Sequence, residues 1–258
     1  PAGEHHVLWL HAKGSNNQWS DFVKIVLNPN VNDILDKIQA NYDQIRDLSF
    51  TMSDSIVIDG DQTIITYSVS QKGPYMSRFI NQADGSVIIV NHNFTVKLDA
   101  SGNVLSYWVS TIDENLGNSI PSTPSSSPDI NQSQDLIWDV QTLRQTYSIA
   151  LDTSAGQGVG GLYNLTATSS PDTNTIHLTF DSRVGEPVST SAALPAGTPI
   201  VTQFTGATEI APGVWLPASS TTQLLLQDGS TIQWSYTISN PVLNQGLSDS
   251  LFAVPPPP

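Results

Sequence analysis

The sequence predicts a mainly β chain of the α+β class, with one strongly curved antiparallel sheet wrapped around an N-terminal amphipathic helix. Three observations carry this reading. One stretch near the start has apolar residues every three or four positions, most of the remainder alternates with period two, and Gly-containing turn pairs separate the alternating runs. The 258 residues can bury about 70% of the surface the unfolded chain exposes. Stability therefore does not depend on disulfides or metals.

From Asp33 to Ile45 the apolar residues Ile34, Leu35, Ile38, Tyr42 and Ile45 fall on one helix face, with Asn32 or Asp33 as the expected N-cap. After it the period changes to two. "SFTMSDSIVID" and "TIITYSVSQ" flank Gly60-Asp61, "SRFINQ" and "SVIIVN" flank Asp84-Gly85, and "FTVKLD" and "NVLSYWVS" flank Ser101-Gly102. Each pair reads as a hairpin. Residues 117–134 collect Ser, Pro, Asn and Gly and predict a long loop. Leu136, Ile137, Val140 and Leu143 predict a short second helix starting near Ser133 or Asp135. Strands resume in "TYSIALD", "LYNLTATS", "TIHLTFDS", "PIVTQFTGATEI", "VWLPASSTTQLLLQ" and "TIQWSYTIS", the last two joined at Asp228-Gly229. The expected organisation is an extension over 1–31 with two strand-like runs, then one β domain over 32–258.

Composition excludes several functions. With 9 Lys+Arg against 23 Asp+Glu the net charge is −14, which repels nucleic acid and anionic surfaces. Cysteine is absent, so thiol nucleophiles and Cys-ligated metals are excluded. Charged residues are 12% of the chain, about half the usual share, and Ser, Thr, Asn and Gln take their place. Such a surface suits exposure outside the cytoplasm. No apolar run reaches 18 residues, so no transmembrane helix is expected. "PAGEHH" reads as a mature terminus left after processing. The expected location is secreted, either periplasmic or extracellular at the cell surface.

Motifs for chemistry are weak. Gly156-Gln-Gly158-Val-Gly160-Gly161 has the letters of a dinucleotide loop, but the strand-like "LYNLTATS" follows where a helix is required. His5, His6 and His11 read as an exposed polar end, and His92 and His177 as strand residues. Asp59, Asp61 and Asp99 read as turn residues, because no complete Ca²⁺ loop surrounds them. No nucleophile elbow, zinc-binding His pair or P-loop occurs. Asp113, Glu114 and Asp139 are carboxylates without a motif. No catalytic residue, cofactor or metal is expected, and the chain reads as a non-enzyme. Asn93, Asn131 and Asn164 open N-x-[ST] sequons, open to glycosylation where the source glycosylates. Trp9, Trp19, Trp108, Trp138, Trp215 and Trp234 are dispersed, as core and cavity lining would be.

Four segments resemble the LolA-like family of lipoprotein carriers, over about residues 32–257. "ILDKIQANYDQIRDLSFTMS" resembles the family's helix leading into a first strand. "KGPYMSRFI" resembles its Lys-x-Pro strand with a downstream Arg, here Lys72, Pro74 and Arg78. "GVWLP" from Gly213 to Pro217 resembles a late strand entry, and "VLNQGLSDSLFAVPPPP" resembles the closing signature, with Asn244, Leu247 and Phe252. The resemblance implies a half-open β-barrel whose apolar lining shields acyl chains. Each buried methylene contributes about 0.8 kcal/mol, so an apolar sleeve is sufficient. Two departures stand out. Gly73 occupies the place of an Arg that the best-known carriers use to fasten a lid, and the segment 1–31 has no counterpart in a minimal carrier.

Two functions follow as expectations. The first is a carrier or sensor for an acyl chain or a lipidated protein, lined by Leu48, Phe50, Phe79, Ile88, Phe94, Trp108, Leu165 and Trp234. The second is a subunit of an extracellular filament or sheath. There, strands of the N-terminal segment would be donated to a neighbouring copy through Val7, Leu8, Trp9, Leu10, Phe22, Val23, Ile25 and Leu27, head to tail.

Overall fold

The computed structural model describes residues 6–20, 23–27, 29–58, 60–92, 94–109, 140–152, 161–169, 175–193, 199–225 and 230–256. The chain begins with a two-stranded sheet, β1 (His6–Leu10) and β2 (Val23–Leu27), followed by helix α1 (Val31–Tyr42). A first meander contains β3 (Asp47–Ile58), β4 (Asp61–Lys72), β5 (Met76–Asn81), β6 (Val87–Asn91), β7 (Phe94–Leu98) and β8 (Val104–Val109). Helix α2 (Val140–Thr146) leads into a second meander: β9 (Tyr147–Leu151), β10 (Leu162–Ser169), β11 (Thr175–Asp181), β12 (Glu186–Ala193), β13 (Pro199–Ala211), β14 (Val214–Leu225) and β15 (Thr231–Leu243).

The two meanders form one antiparallel sheet of 13 strands, in the order β8-β7-β6-β5-β4-β3-β15-β14-β13-β12-β11-β10-β9. Among the described residues every ladder of this sheet joins sequence neighbours except one. Strands β3 and β15 pair from Ile58↔Ile232 to Leu48↔Leu243 and join the halves of the chain. The sheet is not closed, and it ends on β8 and β9. It curls about the helices, since α1 lies against both β14 and β9, five ladder steps apart.

Helix α1 forms where its periodicity places Ile34, Leu35, Ile38 and Tyr42 on one buried face. Each aliphatic side chain contributes about 1.5–3 kcal/mol by leaving water. The cap differs from expectation. Asn30 is the N-cap, accepting from Asp33 N at 3.1 Å, and Asp33 returns the bond by accepting from Asn30 N at 2.9 Å. This reciprocal pairing satisfies two free amides at once, so the helix starts earlier than Asn32. It also ends earlier, and Ile45 is buried beyond it, in the turn to β3. The C-terminal half of α1 approaches the β11–β12 turn closely. Gly185 has φ +73°, and a Cβ there would stand 3.0 Å from Lys37 O.

The closing segment crosses the sheet face opposite the helices. Asp47, buried at the start of β3, accepts from the backbone N–H groups of Gln245, Gly246 and Leu247 at 2.7, 3.0 and 3.2 Å. Asn244 bonds Arg46 N and Gln44 O. Lys72 Nζ donates to Leu247 O and pairs with Asp249. Phe252, on a 3₁₀ turn at Asp249–Phe252, is fully buried against β5 and β6. Asn91 donates to its carbonyl at 2.9 Å. The Lys72 and Asn244 motifs thus meet as one strap. Pro74 lies in the β4–β5 turn that Gly73 enters at φ +58°.

Strand β12, "EPVSTSAA", is absent from the sequence-based expectation because it has almost no β-branched apolar residues to mark it. His92 is in the β6–β7 turn at φ 50°, stacked on Tyr75, and is not a strand residue. His177 lies within β11. The loop at 117–134 lies outside the described residues, as do Leu136, Ile137, Asp113, Glu114, Asp139, Trp138, Asp59 and Gly156–Gly160.

Candidate ligand-binding face

Cross-strand partners share a face of the sheet, so the register defines rows. On the helix side one row runs Ile149, Ala167, Ile176, Ala192, Ile200, Leu224, Ile232 from β9 to β15. Beside it a second row runs Leu151, Leu165, Leu178, Thr190, Thr202, Thr222, Trp234 and reaches Ile56 on β3. At the β9 end both rows belong to the core under α1 and α2. From Ile200 and Thr190 onward the rows leave that core. Ile200 and Leu224 are buried, whereas Ile232, Trp234 and Ile56 are half-buried. Of this stretch, the helix-side trough, only Ile232, Trp234 and Ile56 are partly open; its ledge of threonines, Thr190, Thr202 and Thr222, is buried, and Thr202 and Thr222 bond each other through their hydroxyls at 2.9 Å.

A buried carboxyl secures the helix beside it. Glu186 is 1% exposed, accepting from Asn41 Nδ2 at 2.5 Å and from Tyr42 Oη at 3.0 Å. Asn41 also pairs with the Trp215 backbone in both directions, at 2.9 and 2.8 Å, so the C-terminus of α1 is bonded to β12 and β14. Burial pushes the Glu186 carboxyl well above the ordinary range, against the two hydrogen bonds that favour its ionised form. Burial, with the facing Glu186 carboxyl, also raises the Tyr42 phenol well above 10.0, which keeps it a proton donor. A separate surface groove of about 370 Å³ lies between β4 and the β5–β6 turn, lined by Ile64, Ile65, Thr66, Asn81, Gln82 and Ala83. Among the described residues no group of three or more His, Asp or Glu side chains converges as a metal site would.

Leu48, Phe50, Phe79, Ile88 and Leu165 are brought together in the core against α1. Trp234 is in the trough. Phe94 is 39% exposed and pairs with Asn91, which places it on the face opposite Phe79. The side chain of Trp108 lies outside the described residues. Val7, Leu8, Val23, Ile25 and Leu27 lie on β1 and β2, whose strands pair with each other, Val7↔Val26 and Leu8↔Ile25. Trp9 and Leu10 are exposed, and Phe22, Asn93 and Asn131 lie outside the described residues. Asn164 is mid-strand on β10, its carboxamide oxygen accepting from Thr179 at 2.7 Å. Sequence reasoning did not find Ile56, Thr190, Thr202, Thr222, Leu224, Ile232 or Glu186. The alternation of "TTQLLLQ" and "TIQWSYTIS" marks their strands, but which face the helices leave open depends on register between distant strands.

No family model matches the sequence, and no curated relative does. Solved structures do resemble it. A LolA superfamily protein from Nitrosomonas europaea superposes with a TM-score of 0.62 at 14% identity, over 88% of this chain and 98% of that one. A DUF1329 family protein from Desulfovibrio piger gives 0.61 at 15%, over 88% and 98%. A putative outer membrane lipoprotein-sorting protein domain from Vibrio parahaemolyticus gives 0.59 at 12%, over 84% and 95%. With one curved open sheet wrapped about an N-terminal helix, and these neighbours aligned along most of its length, the chain has the LolA-like fold.

Proposed function

We propose that this protein is a non-catalytic carrier or sensor outside the cytoplasm that lays an acyl chain, free or attached to a protein, along the helix-side trough. The observation that carries the reading is the trough itself: past the core around the helices the rows run over the buried Ile200 and Leu224 to Ile232, Trp234 and Ile56, an apolar patch that is only partly covered. An acyl chain gains about 0.8 kcal/mol per methylene buried on such a surface. Solved proteins of this fold include the putative outer membrane lipoprotein-sorting protein domain from Vibrio parahaemolyticus, which agrees with the assignment. Among the described residues no helix is long and apolar enough to cross a membrane.

The test is uptake of a fluorescent fatty acid by delipidated protein. Saturable binding is expected, and Trp234→Asp should weaken it about tenfold or more, the worth of one buried aromatic contact. Absence of uptake, or equal uptake by the variant, rejects the trough as the site.

A further inference from the structure

We propose that the free edge of β4, from Asp61 to Ile65, takes the polypeptide stretch of an acylated partner as an added strand, beside the patch that takes its acyl chain. This rests on the reading of the trough as an acyl site and names what is attached to the acyl group.

Strand β4 is an interior strand for only part of its length. Its ladder with β3 runs without a register shift from Asp61↔Ile58 to Lys72↔Asp47. Its ladder with β5 runs only from Lys72↔Met76 to Tyr67↔Asn81, followed by one bond from Gln82 N–H to the Thr66 carbonyl at 2.9 Å. Successive residues of an antiparallel strand direct their backbone groups to alternate sides. The Thr66 carbonyl is on the β5 side, so the N–H and C=O groups of Ile64 and Gln62 are on that side too. Among the described residues these four groups have no hydrogen-bond partner. Residues 61–64 are exposed, Ile64 at 60%. Proteins guard such edges with lysines, prolines or bulges, and Asp61-Gln-Thr-Ile-Ile has none of these, only one carboxylate at its end.

Backbone chemistry selects the class of occupant. Two N–H and two C=O groups at strand spacing are matched by the backbone of an extended polypeptide, which lipids and sugars do not reproduce. Where the edge begins, the groove of about 370 Å³ at Ile64, Ile65 and Ala83 has room for an apolar side chain of that strand. Charge opposes a second copy, because two chains of −14 repel. The same acidity, with Asp61 on the edge itself, attracts a segment with basic flanks. Position ties the edge to the trough. Thr63 is the ladder partner of Ile56, at the partly open end of the trough, and is itself exposed. An added strand stands one step of about 4.8 Å beyond β4, so an acyl chain on its helix-side face reaches Ile56 and Trp234 across Thr63.

The experiment titrates the full, delipidated chain with three probes: palmitate, the peptide Lys-Val-Thr-Val-Thr-Lys carrying an N-terminal palmitoyl group, and the same peptide acetylated instead. The palmitoyl peptide is expected to bind about tenfold or more tightly than palmitate, the worth of a few added backbone hydrogen bonds. N-methylation of one alternate set of its backbone nitrogens should remove that gain, and methylation of the other set should leave it, because only one side of a strand faces β4. Ile64→Pro removes an outward N–H and spares the ladder to β3, so it should abolish the gain and leave palmitate binding unchanged. Gln62→Pro replaces it if circular dichroism shows that the first variant is not folded. A gain that survives both methylation patterns, or survives in the proline variant, overturns the proposal. So does a wild type that sediments as a dimer which the proline variant dissociates, since a second copy then holds the edge. If palmitate binds and the palmitoyl peptide binds no more tightly, the strand addition fails and the acyl reading stands. If palmitate does not bind while the acetyl peptide binds in an Ile64-dependent way, the acyl reading fails and the strand addition stands. Binding of none of the probes overturns both.

Discussion

Glu186 is the residue at which chemistry and folding meet most directly. Its carboxyl, 1% exposed, is raised well above the model-compound value of 4.5, with burial as the largest cause. The folded state thus retains a proton that the unfolded state gives up near 4.5. The stability this group contributes is fully present below that value, and it is lost as pH rises through the folded value, because the unfolded chain then binds fewer protons than the native one. Glu186→Gln retains an acceptor for Asn41 and reverses the Tyr42 bond, its amide donating to the phenol oxygen, without the titration. The urea midpoint of wild type should therefore fall with rising pH above 4.5 relative to the variant, and parallel pH profiles would show that Glu186 does not titrate between the two states. Asn41→Ala should be the more damaging change on this cluster. It strips partners from Glu186 and from both Trp215 backbone groups, at about 2–4 kcal/mol, read by the same urea titration.

Among the elements, the strap from Asn244 to Phe252 is secured locally at both ends. Asp47 gathers three consecutive amides at one end, and the fully buried Phe252 anchors the other. Asp47→Ala should release the amides of Gln245 to Leu247 to fast hydrogen exchange, while β3 and β15 remain protected. Phe252→Ala should cost about 3–5 kcal/mol in global stability, because it opens a cavity between the strap and β5–β6. If Asp47→Ala leaves exchange at those amides unchanged, the carboxylate is not what retains the strap.

Across the whole molecule, charge is the large unbalanced quantity. A net charge of −14 disfavours the compact state through self-repulsion, and salt near 0.15 M shortens the range of that repulsion to about 8 Å. The melting temperature should therefore rise by about 2–4 °C between low salt and 0.15 M for a chain of this size, a shift equivalent to about 1 kcal/mol. A melting temperature unchanged or lowered by salt would mean that attractive pairs such as Lys72–Asp249 and Arg144–Asp36 outweigh the repulsion.

The helix α1, the hairpins around Gly60, Gly85 and Gly102, and the strands of the second meander other than β12 were legible in the sequence alone. Their signals are local: a period of 3.6 or 2, and turn residues that permit positive φ. The curved sheet around a helix follows from that order of elements together with the resemblance of four short segments. What only the tertiary structure decided is non-local. The pairing of β3 with β15 sets the register of the two halves, and that register determines which residues share the helix-side face. Thr190, Thr202 and Thr222 come from three strands and form a ledge only after their strands align, and Glu186 becomes a buried carboxyl only when α1 covers it. A side chain's chemistry can be read from its own position in the chain, but its burial depends on residues more than a hundred positions away, and no local period records them.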